Sequence, residues 1–148
     1  MNIDQVIAEI EAIQLAEGKL LLPNPYSPEN NAAIFIAKGF GVTVGSGSIG
    51  EGASYKQPFY MVNRPIGLVF TSDIIGNPQD SGVIKSNEQR IRQEAFDLFA
   101  KIYHNKTIGE LVTSLNFDSD ELQFFGGDEG FSHIAFTLNV NFLIKETV

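Results

Sequence analysis

Apolar residues recur every three or four positions over residues 86–104, the longest stretch of the chain with a regular helical period. The repeat predicts one apolar helix face, made by Ile91, Ala95, Leu98, Phe99 and Ile102 and widened on one flank by Phe96 and Tyr103. Ser86 followed by Gln89 matches a capping box, so we expect the helix to begin at Ser86. Because strands are predicted on either side, the helix is expected to cover a sheet.

The N-terminal residues carry a second helical pattern. Apolar side chains at positions 3, 6, 7, 10 and 13 share one face of a predicted helix over residues 3–17, with Asn2 placed to cap it and Gly18 to end it. The segment that follows has three prolines within residues 23–28. Prolines at this density disfavour a helix and predict an extended connection along the surface.

Two segments, residues 33–44 and 59–72, alternate apolar and polar positions as strands do. Gly39 and Gly41 in the first predict a bulge or a close backbone approach, and Pro65 in the second is expected at an edge or a bulge. The two strands form a predicted hairpin. Its loop, residues 45–58, is long enough to indicate a role of its own.

The rest of the chain completes the sheet. Residues 73–82 have the composition of a turn, residues 107–115 predict a helical turn, and residues 122–125 predict a short strand. Residues 131–144 alternate most regularly, which favours an antiparallel sheet with one buried and one polar face. The sequence therefore predicts a single α+β domain over residues 1–148, with a four- to five-stranded, mainly antiparallel sheet and two or three helices packed on one face.

Composition narrows the classes of function. The 148-residue chain has no cysteine, which excludes disulfides, thiol catalysis and thiolate metal sites. Its net charge of −8 is the opposite of what proteins that grip a phosphate backbone carry, although an acidic wall that lets DNA pass is compatible with it. The N-terminus lacks the basic start of a signal peptide, and the longest apolar run, residues 32–37, is too short to span a bilayer. We therefore expect an intracellular protein, or a component of a particle assembled in a cell.

The glycine-rich stretch is the one segment that matches a binding motif. Gly45, Gly47 and Gly50 fit the pattern G-x-G-x-x-G after a predicted strand. A phosphate-binding loop needs a helix to open at the third glycine, but Glu51 and Pro58 follow instead, and Glu51 would repel a phosphate. A hairpin tip is therefore the favoured interpretation, and a nucleotide site is the alternative.

The histidines and the clustered acids do not match a known site either. His104 falls at the C-terminal end of the long helix, where a partly charged imidazole is favourable, and His133 is expected to be solvated on the polar face of the last strand. The acids over residues 118–129 lack the ligand pattern of an EF-hand and are expected to form a solvated turn. The sequence assigns no catalytic, cofactor-binding or metal-binding residue.

Three phrases, RPIGLVFTSDI, RIRQEAFDLFAKIY and ELQFFGGDEGFSHIAFTLNVNFLIKE, occur in the predicted order of helix, strand pair, helix and strand pair. In this arrangement the chain resembles the tail terminator proteins of tailed bacteriophages over most of its length. The resemblance implies a structural protein with no enzymatic activity and no cofactor. Such proteins form a six-membered ring that caps the finished tail tube, stops its growth and joins it to the head connector.

The resemblance also implies partners and a location. The partners are further copies of the chain, tail tube or sheath subunits, and the head connector or stopper protein. DNA passes through the ring without specific binding, and no membrane is involved. The protein would belong to the tail or neck of the virion, assembled in the host cytoplasm.

A head-to-tail ring needs two different complementary patches on each subunit. The interface candidates lie in or beside the hairpin loop, among the arginines, and in the acidic turn: Tyr55, Lys56, Phe59, Arg64, Arg90, Arg92, Asp128 and Glu129. We expect the arginines of one subunit to meet the acidic turn of its neighbour. Two alternatives stay open: another neck, head-completion or tube-like subunit, and a small ligand-binding or enzymatic α+β domain that uses residues 45–50.

Overall fold

The computed structural model of the chain describes residues 2–49, 59–127 and 131–147, with the backbone alone described for Ile49, Phe59 and Thr147. Its helices are α1 (Asn2–Ala16), α2 (Ala33–Ile36), α3 (Val83–Tyr103) and α4 (Lys106–Leu111), and a 3-10 turn covers Pro28–Asn30. Its strands are β1 (Leu20–Leu21), β2 (Gly39–Val44), β3 (Ser48–Ile49), β4 (Phe59–Asp73), β5 (Val112–Phe125) and β6 (His133–Thr147).

Five strands lie side by side in the order β1-β2-β4-β6-β5, and the short β3 pairs with β4 beyond the end of β2. β1 and β2 are parallel, and the other described pairs are antiparallel. The longest pairing joins β4 to β6, from Phe59 opposite Thr147 to Asp73 opposite His133. The predicted α+β class with a mainly antiparallel sheet is therefore confirmed, and the β2–β4 pairing confirms the hairpin.

The main core lies between one face of the sheet and helices α1, α3 and α4. Alternate residues of β6 point into this core, as the pattern of the last strand predicts: Ile134, Phe136, Leu138, Val140, Phe142 and Ile144. The helix α3 buries Ile91, Ala95, Leu98 and Ile102 against them. The two residues on the flank of the predicted stripe are not buried: Phe96 is 37% exposed and Tyr103 is 67% exposed.

The start of α3 differs from the prediction. The helix begins at Val83, and its cap is Gly82, whose φ of 82° lies in the left-handed region that favours glycine. Ser86 therefore does not cap the helix; its backbone N–H donates to the carbonyl of Gly82 inside the first turn. The capping-box prediction was wrong because the turn before the helix is fixed by a different side chain.

That side chain is Asn87, which is buried and joins the turn to the helix. Its Oδ1 accepts from the N–H of Ile75 at 2.8 Å, and its Nδ2 donates to the carbonyl of Ile75 at 3.0 Å. The same Nδ2 also donates to the carbonyl of Val83 at 2.7 Å. Both donors and the acceptor of this buried amide are hydrogen-bonded, so Asn87 holds residue 75 against the first turn of α3.

Helix α1 is capped by a residue from the other end of the chain. The carboxylate of Glu146, on β6, accepts from the N–H of Asn2 at 3.0 Å and from the N–H of Ile3 at 3.1 Å. A carboxylate at this position also complements the positive end of the helix dipole. Asn2 is therefore a residue of the helix and not its cap, whereas Gly18, with a φ of 87°, ends the helix as predicted.

Two segments fold differently from their local pattern. The first part of the predicted strand 33–44 is helix α2, and strand β2 begins only at Gly39. The predicted helical turn over residues 107–115 ends at Leu111, and the predicted short strand 122–125 is the end of the 14-residue β5. β5 pairs with β6, the next strand along the chain, and this pairing overrides the local pattern of residues 112–121.

The opposite face of the sheet is covered at one end by the proline-rich segment. A Cβ atom on Gly41 would lie 2.5 Å from the Cβ of Pro25, and a Cβ atom on Gly39 would lie 2.5 Å from Cδ2 of Leu22. Real Cβ atoms do not approach other atoms this closely, so both positions require glycine. The predicted close approach at Gly39 and Gly41 is confirmed.

The same segment continues across the sheet to the far edge. Its 3-10 turn begins at Pro28, where the missing N–H of proline costs no hydrogen bond. Glu29 in this turn accepts from Nε2 of Gln123 on β5, at 3.4 Å between Nε2 and Oε2. The proline-rich segment is therefore a strap over the second face, made of bends and turns, so the expectation of an extended connection was wrong.

Pro65 lies where β2 gives way to β3 along the edge of β4. Its carbonyl accepts from the N–H of Gly45 at 2.8 Å. In an extended strand the N and O of one residue point to the same side, so the nitrogen of Pro65 faces the interruption between the two short strands. Proline cannot donate the reciprocal hydrogen bond, and Nη1 of Arg64 donates to the carbonyl of Gly45 instead, at 3.3 Å. Pro65 thus lies at a gap in the neighbouring strands of the interior strand β4, and not at an edge or a bulge as predicted.

Candidate assembly interface

The edge of the sheet formed by β2 is covered by the chain itself. Strand β1 pairs with the start of β2, and the N–H of Leu22 donates to the carbonyl of Phe40 at 2.8 Å. At the other end of β2, the hydroxyl of Tyr26 accepts from the N–H of Val44 at 3.0 Å. The backbone groups that would otherwise attract another strand are thus partly occupied along this edge.

The opposite edge is formed by β5 and is open. Within residues 2–49, 59–127 and 131–147, no strand pairs with the outer side of β5, although it has 14 residues. Side chains over residues 116–121 are all exposed. A long edge strand of this kind offers a row of unpaired backbone donors and acceptors to another chain.

Aromatic side chains lie next to this open edge, where α3 meets β5. The ring centroids of Phe96 and Phe117 are 6.1 Å apart, and those of Phe96 and Phe99 are 6.4 Å apart. Phe117 is 50% exposed. We call Phe96, Phe99 and Phe117 the aromatic patch. An apolar group of this size beside an unpaired strand is typical of a protein–protein contact.

Sequence reasoning missed the aromatic patch for a specific reason. Phe96 was placed on the flank of the apolar helix stripe, and Phe117 fell between a predicted helical turn and a predicted short strand. The two residues are separated in sequence and meet only because β5 pairs with β6 under α3. The one signal in the sequence was an aromatic residue at the margin of the stripe rather than at its centre.

The clustered acids lie on β5 and not in a turn, so the expectation of a solvated turn was wrong for the part that is described. Asp118, Asp120 and Glu121 are exposed residues of the strand, and none of them forms an ion pair with a described residue. Asp128 and Glu129, the acids predicted at the interface, lie outside the described residues. The open edge is therefore acidic in its middle, next to the aromatic patch.

Two of the predicted interface arginines are engaged within the chain. Nη2 of Arg90 donates to Oδ1 of Asn87 at 2.8 Å and to the carbonyl of Asp73 at 3.3 Å, and Nη1 lies 3.8 Å from a carboxylate oxygen of Glu94. Arg92 forms an ion pair with Glu88, with 3.0 Å between Nη2 and Oε1. Arg90 therefore links α3 to the end of β4, in addition to any role on the surface.

Arg64 is in a different position. Its Nη1 donates to the carbonyl of Gly45 at 3.3 Å, and its Nε is buried without a hydrogen-bond partner. No carboxylate of the described part of the chain pairs with it. Among the remaining candidates, Phe59 is the first residue of β4, while Tyr55 and Lys56 lie outside the described residues.

The glycine stretch continues as strand where a phosphate-binding loop would turn into a helix. Ser48 and Ile49 form β3 and pair with Asn63 and Val62 of β4. Gly50, the third glycine of the motif, lies outside the described residues. This path gives no support to a nucleotide site in the described part of the loop.

The histidines are placed as follows. His104 is the C-terminal cap residue of α3, as predicted. His133 is not simply solvated, because its Nδ1 lies 2.9 Å from Oδ1 of Asp73, at an angle that falls short of a hydrogen bond. A search of the described residues finds no cluster of three or more His, Asp or Glu side chains that could hold a metal ion. None of the described helices has both the length and the apolar character needed to cross a membrane.

Comparison of the sequence with protein-family models and with curated proteins finds no match in either case.

Proposed function

We propose that the chain is a structural subunit of a tailed-phage virion, of the tail terminator type. It forms a hexameric ring that caps the tail tube and joins it to the head connector, and DNA passes through the centre. The observation that carries this proposal is the open 14-residue edge of β5 with the aromatic patch beside it. The kind of assembly, a hexameric ring at the end of the tail tube, is inferred from the sequence resemblance.

The contrast between the two edges supports an assembly role. The chain uses a strap, a short strand and a tyrosine hydroxyl to cover the β2 edge. Among the described residues, none pairs with the outer side of β5, and exposed phenylalanines lie next to it. A monomer would gain from hiding such an edge, because open strands promote unwanted pairing. An edge that a neighbouring subunit covers needs no such protection.

The charge of the chain suits a channel through which DNA moves. With a net charge of −8, the subunit repels a polyanion more than it attracts one. The ring would therefore guide DNA without holding it, in agreement with a joining role and with a location in the tail or neck.

Size-exclusion chromatography with light scattering, followed by negative-stain microscopy, tests the proposal. We expect a species of six subunits, or a concentration-dependent approach to it, and ring-shaped particles with a central hole. A strictly monomeric protein at every concentration would contradict the proposal.

The open edge equally favours another joining subunit of the neck or a tube-like subunit. A polymerisation assay with tail tube subunits separates these. A terminator stops tube growth when it is added in small amounts, a tube-like subunit is incorporated along the length, and a head-completion protein leaves tube length unchanged.

A further inference from the structure

We infer that the ring assembles head to tail, with the β5 edge of one copy receiving the side of the next copy that carries Arg64. The inference rests on the proposed function and names the two surfaces that form the contact. Each surface carries charge that the described residues leave unbalanced.

Arg64 is the first unbalanced group. Its guanidinium packs against the backbone of the glycine stretch: a Cβ atom on Gly47 would lie 2.8 Å from Cζ of Arg64. The single hydrogen bond to Gly45 and the unpaired Nε leave most of its five donors unused by the described residues. By contrast, Arg90 and Arg92 each lie beside a carboxylate of their own chain. A partly buried guanidinium without an anion is unfavourable until one is supplied.

The acids of β5 are the second unbalanced group. Asp118, Asp120 and Glu121 lie within four consecutive positions of one strand and have no cationic partner among the described residues. Like charges this close repel one another, and a cation from outside relieves the repulsion. An arginine fork is well suited to this task, because it binds carboxylates through two parallel hydrogen bonds.

The two groups lie towards opposite edges of the sheet. β5 forms one edge, with β6 between it and β4. Arg64 is on β4, and its guanidinium lies over Gly45 and Gly47, on the side of β2 and β3. Surfaces on opposite sides of a subunit generate head-to-tail contacts, and such contacts close into rings when the rotation between copies is right.

The competing arrangement is a twofold contact in which β5 pairs with β5 of a second copy. That arrangement would bring the two sets of acids against each other. Like charges directly opposite in a sheet are destabilising, whereas opposite charges contribute favourably. The charge pattern therefore favours the head-to-tail contact over the twofold one.

Charge exchange in the full-length chain tests the pairing. Arg64→Asp and Asp120→Arg should each weaken self-association by at least about tenfold. The double variant should recover association, because the pair is restored with reversed signs. Lys85→Glu, at an exposed cation on the first turn of α3, is the matched control and should leave association unchanged. Circular dichroism of every variant confirms that the subunit remains folded.

Cysteine cross-linking gives an independent readout, since the native chain has no cysteine. Ser48→Cys places a thiol on β3, and Ser119→Cys places one on β5. A mixture of the two variants should form disulfide-linked dimers on oxidation, and neither variant should do so alone. Cross-linking of Ser119→Cys with itself would indicate the twofold contact and overturn the inference.

The outcomes separate the two proposals. A strictly monomeric wild-type protein overturns both. A ring that shows no recovery in the double variant and no mixed cross-link overturns the head-to-tail pairing alone and leaves the proposed function standing.

Discussion

The two edges of the sheet, at the six-residue β2 and the 14-residue β5, differ in how their backbone groups are covered. At the β2 edge, glycines let the proline-rich strap come close, β1 pairs with the strand, and Tyr26 occupies the N–H of Val44. At the β5 edge, no described strand pairs with the outer side, and Phe117 is exposed beside it. The difference indicates that one edge serves folding and the other serves assembly.

The covered edge depends most strongly on the backbone contact at Gly39. A Cβ atom there would lie 2.6 Å from the carbonyl oxygen of Phe35, and backbone cannot move aside as a side chain can. We expect Gly39→Ala to lower the free energy of unfolding by about 3 kcal/mol, measured by denaturant titration. Gly109→Ala is the matched control. Its Cβ would meet nothing within 4 Å on α4, so a small gain in stability is expected.

If Gly39→Ala were as stable as the wild type, the segments that contain Leu22 and Phe35 would not be packed tightly against β2. The contrast between a covered and an open edge would then lose its structural basis.

A substitution at the open edge should have the reverse effect: a small change in folding stability and a large change in self-association. Phe117→Ser removes the exposed ring of the aromatic patch, so we expect self-association to fall by at least about tenfold while stability changes by about 1 kcal/mol. Sedimentation velocity measures the first and denaturant titration the second. Ile34→Ser, at another exposed apolar residue on α2, should leave association unchanged. Equal loss of association in both variants would show that the aromatic patch is not a specific contact.

A smaller effect is expected from Tyr26→Phe, which removes the hydroxyl that accepts from Val44. The loss of one hydrogen bond should cost about 1 kcal/mol and should speed hydrogen exchange at the Val44 amide. Tyr60→Phe, at an exposed tyrosine of β4, serves as the control. Unchanged exchange at Val44 would show that Tyr26 does not protect this edge in solution.

The smallest expected effect is a gain in folding stability. Oγ1 of Thr71, next to Gly39, is buried without a hydrogen-bond partner. Thr71→Val keeps the shape and removes the unsatisfied oxygen, so the melting temperature should rise, with a gain of about 1 kcal/mol in stability. Thr113→Val, at an exposed residue of β5, should leave it nearly unchanged. A lower melting temperature for Thr71→Val would mean that the hydroxyl has a partner in solution.

The sequence was sufficient where an element is determined by its own pattern. The face of α3 that contains Ile91 and Leu98 and the alternation of β6 were predicted correctly, because both repeat over many residues and both border one core. The class of the fold followed from these elements. Gly39 and Gly41 were also interpreted correctly, since a glycine inside a strand commonly marks a place where another segment approaches the backbone closely.

Prediction failed where contacts outside the local segment decide the outcome. Glu146 caps a helix that begins at Asn2, across nearly the whole chain. β5 is a strand because β6 lies beside it, and its local pattern resembles a helical turn followed by a loop. Arg90 was predicted to face a neighbouring subunit, and its contact with Asp73 depends on how α3 docks. The aromatic patch required the same tertiary information.

Hydrogen exchange followed amide by amide at increasing protein concentration tests the central claim most directly, because it reports both edges in one experiment. We predict that exchange within residues 116–121 of β5 slows as the concentration rises, while exchange at the Val44 amide stays the same. Protection of β5 that does not depend on concentration, or exchange that remains fast in an assembled ring, would contradict the account.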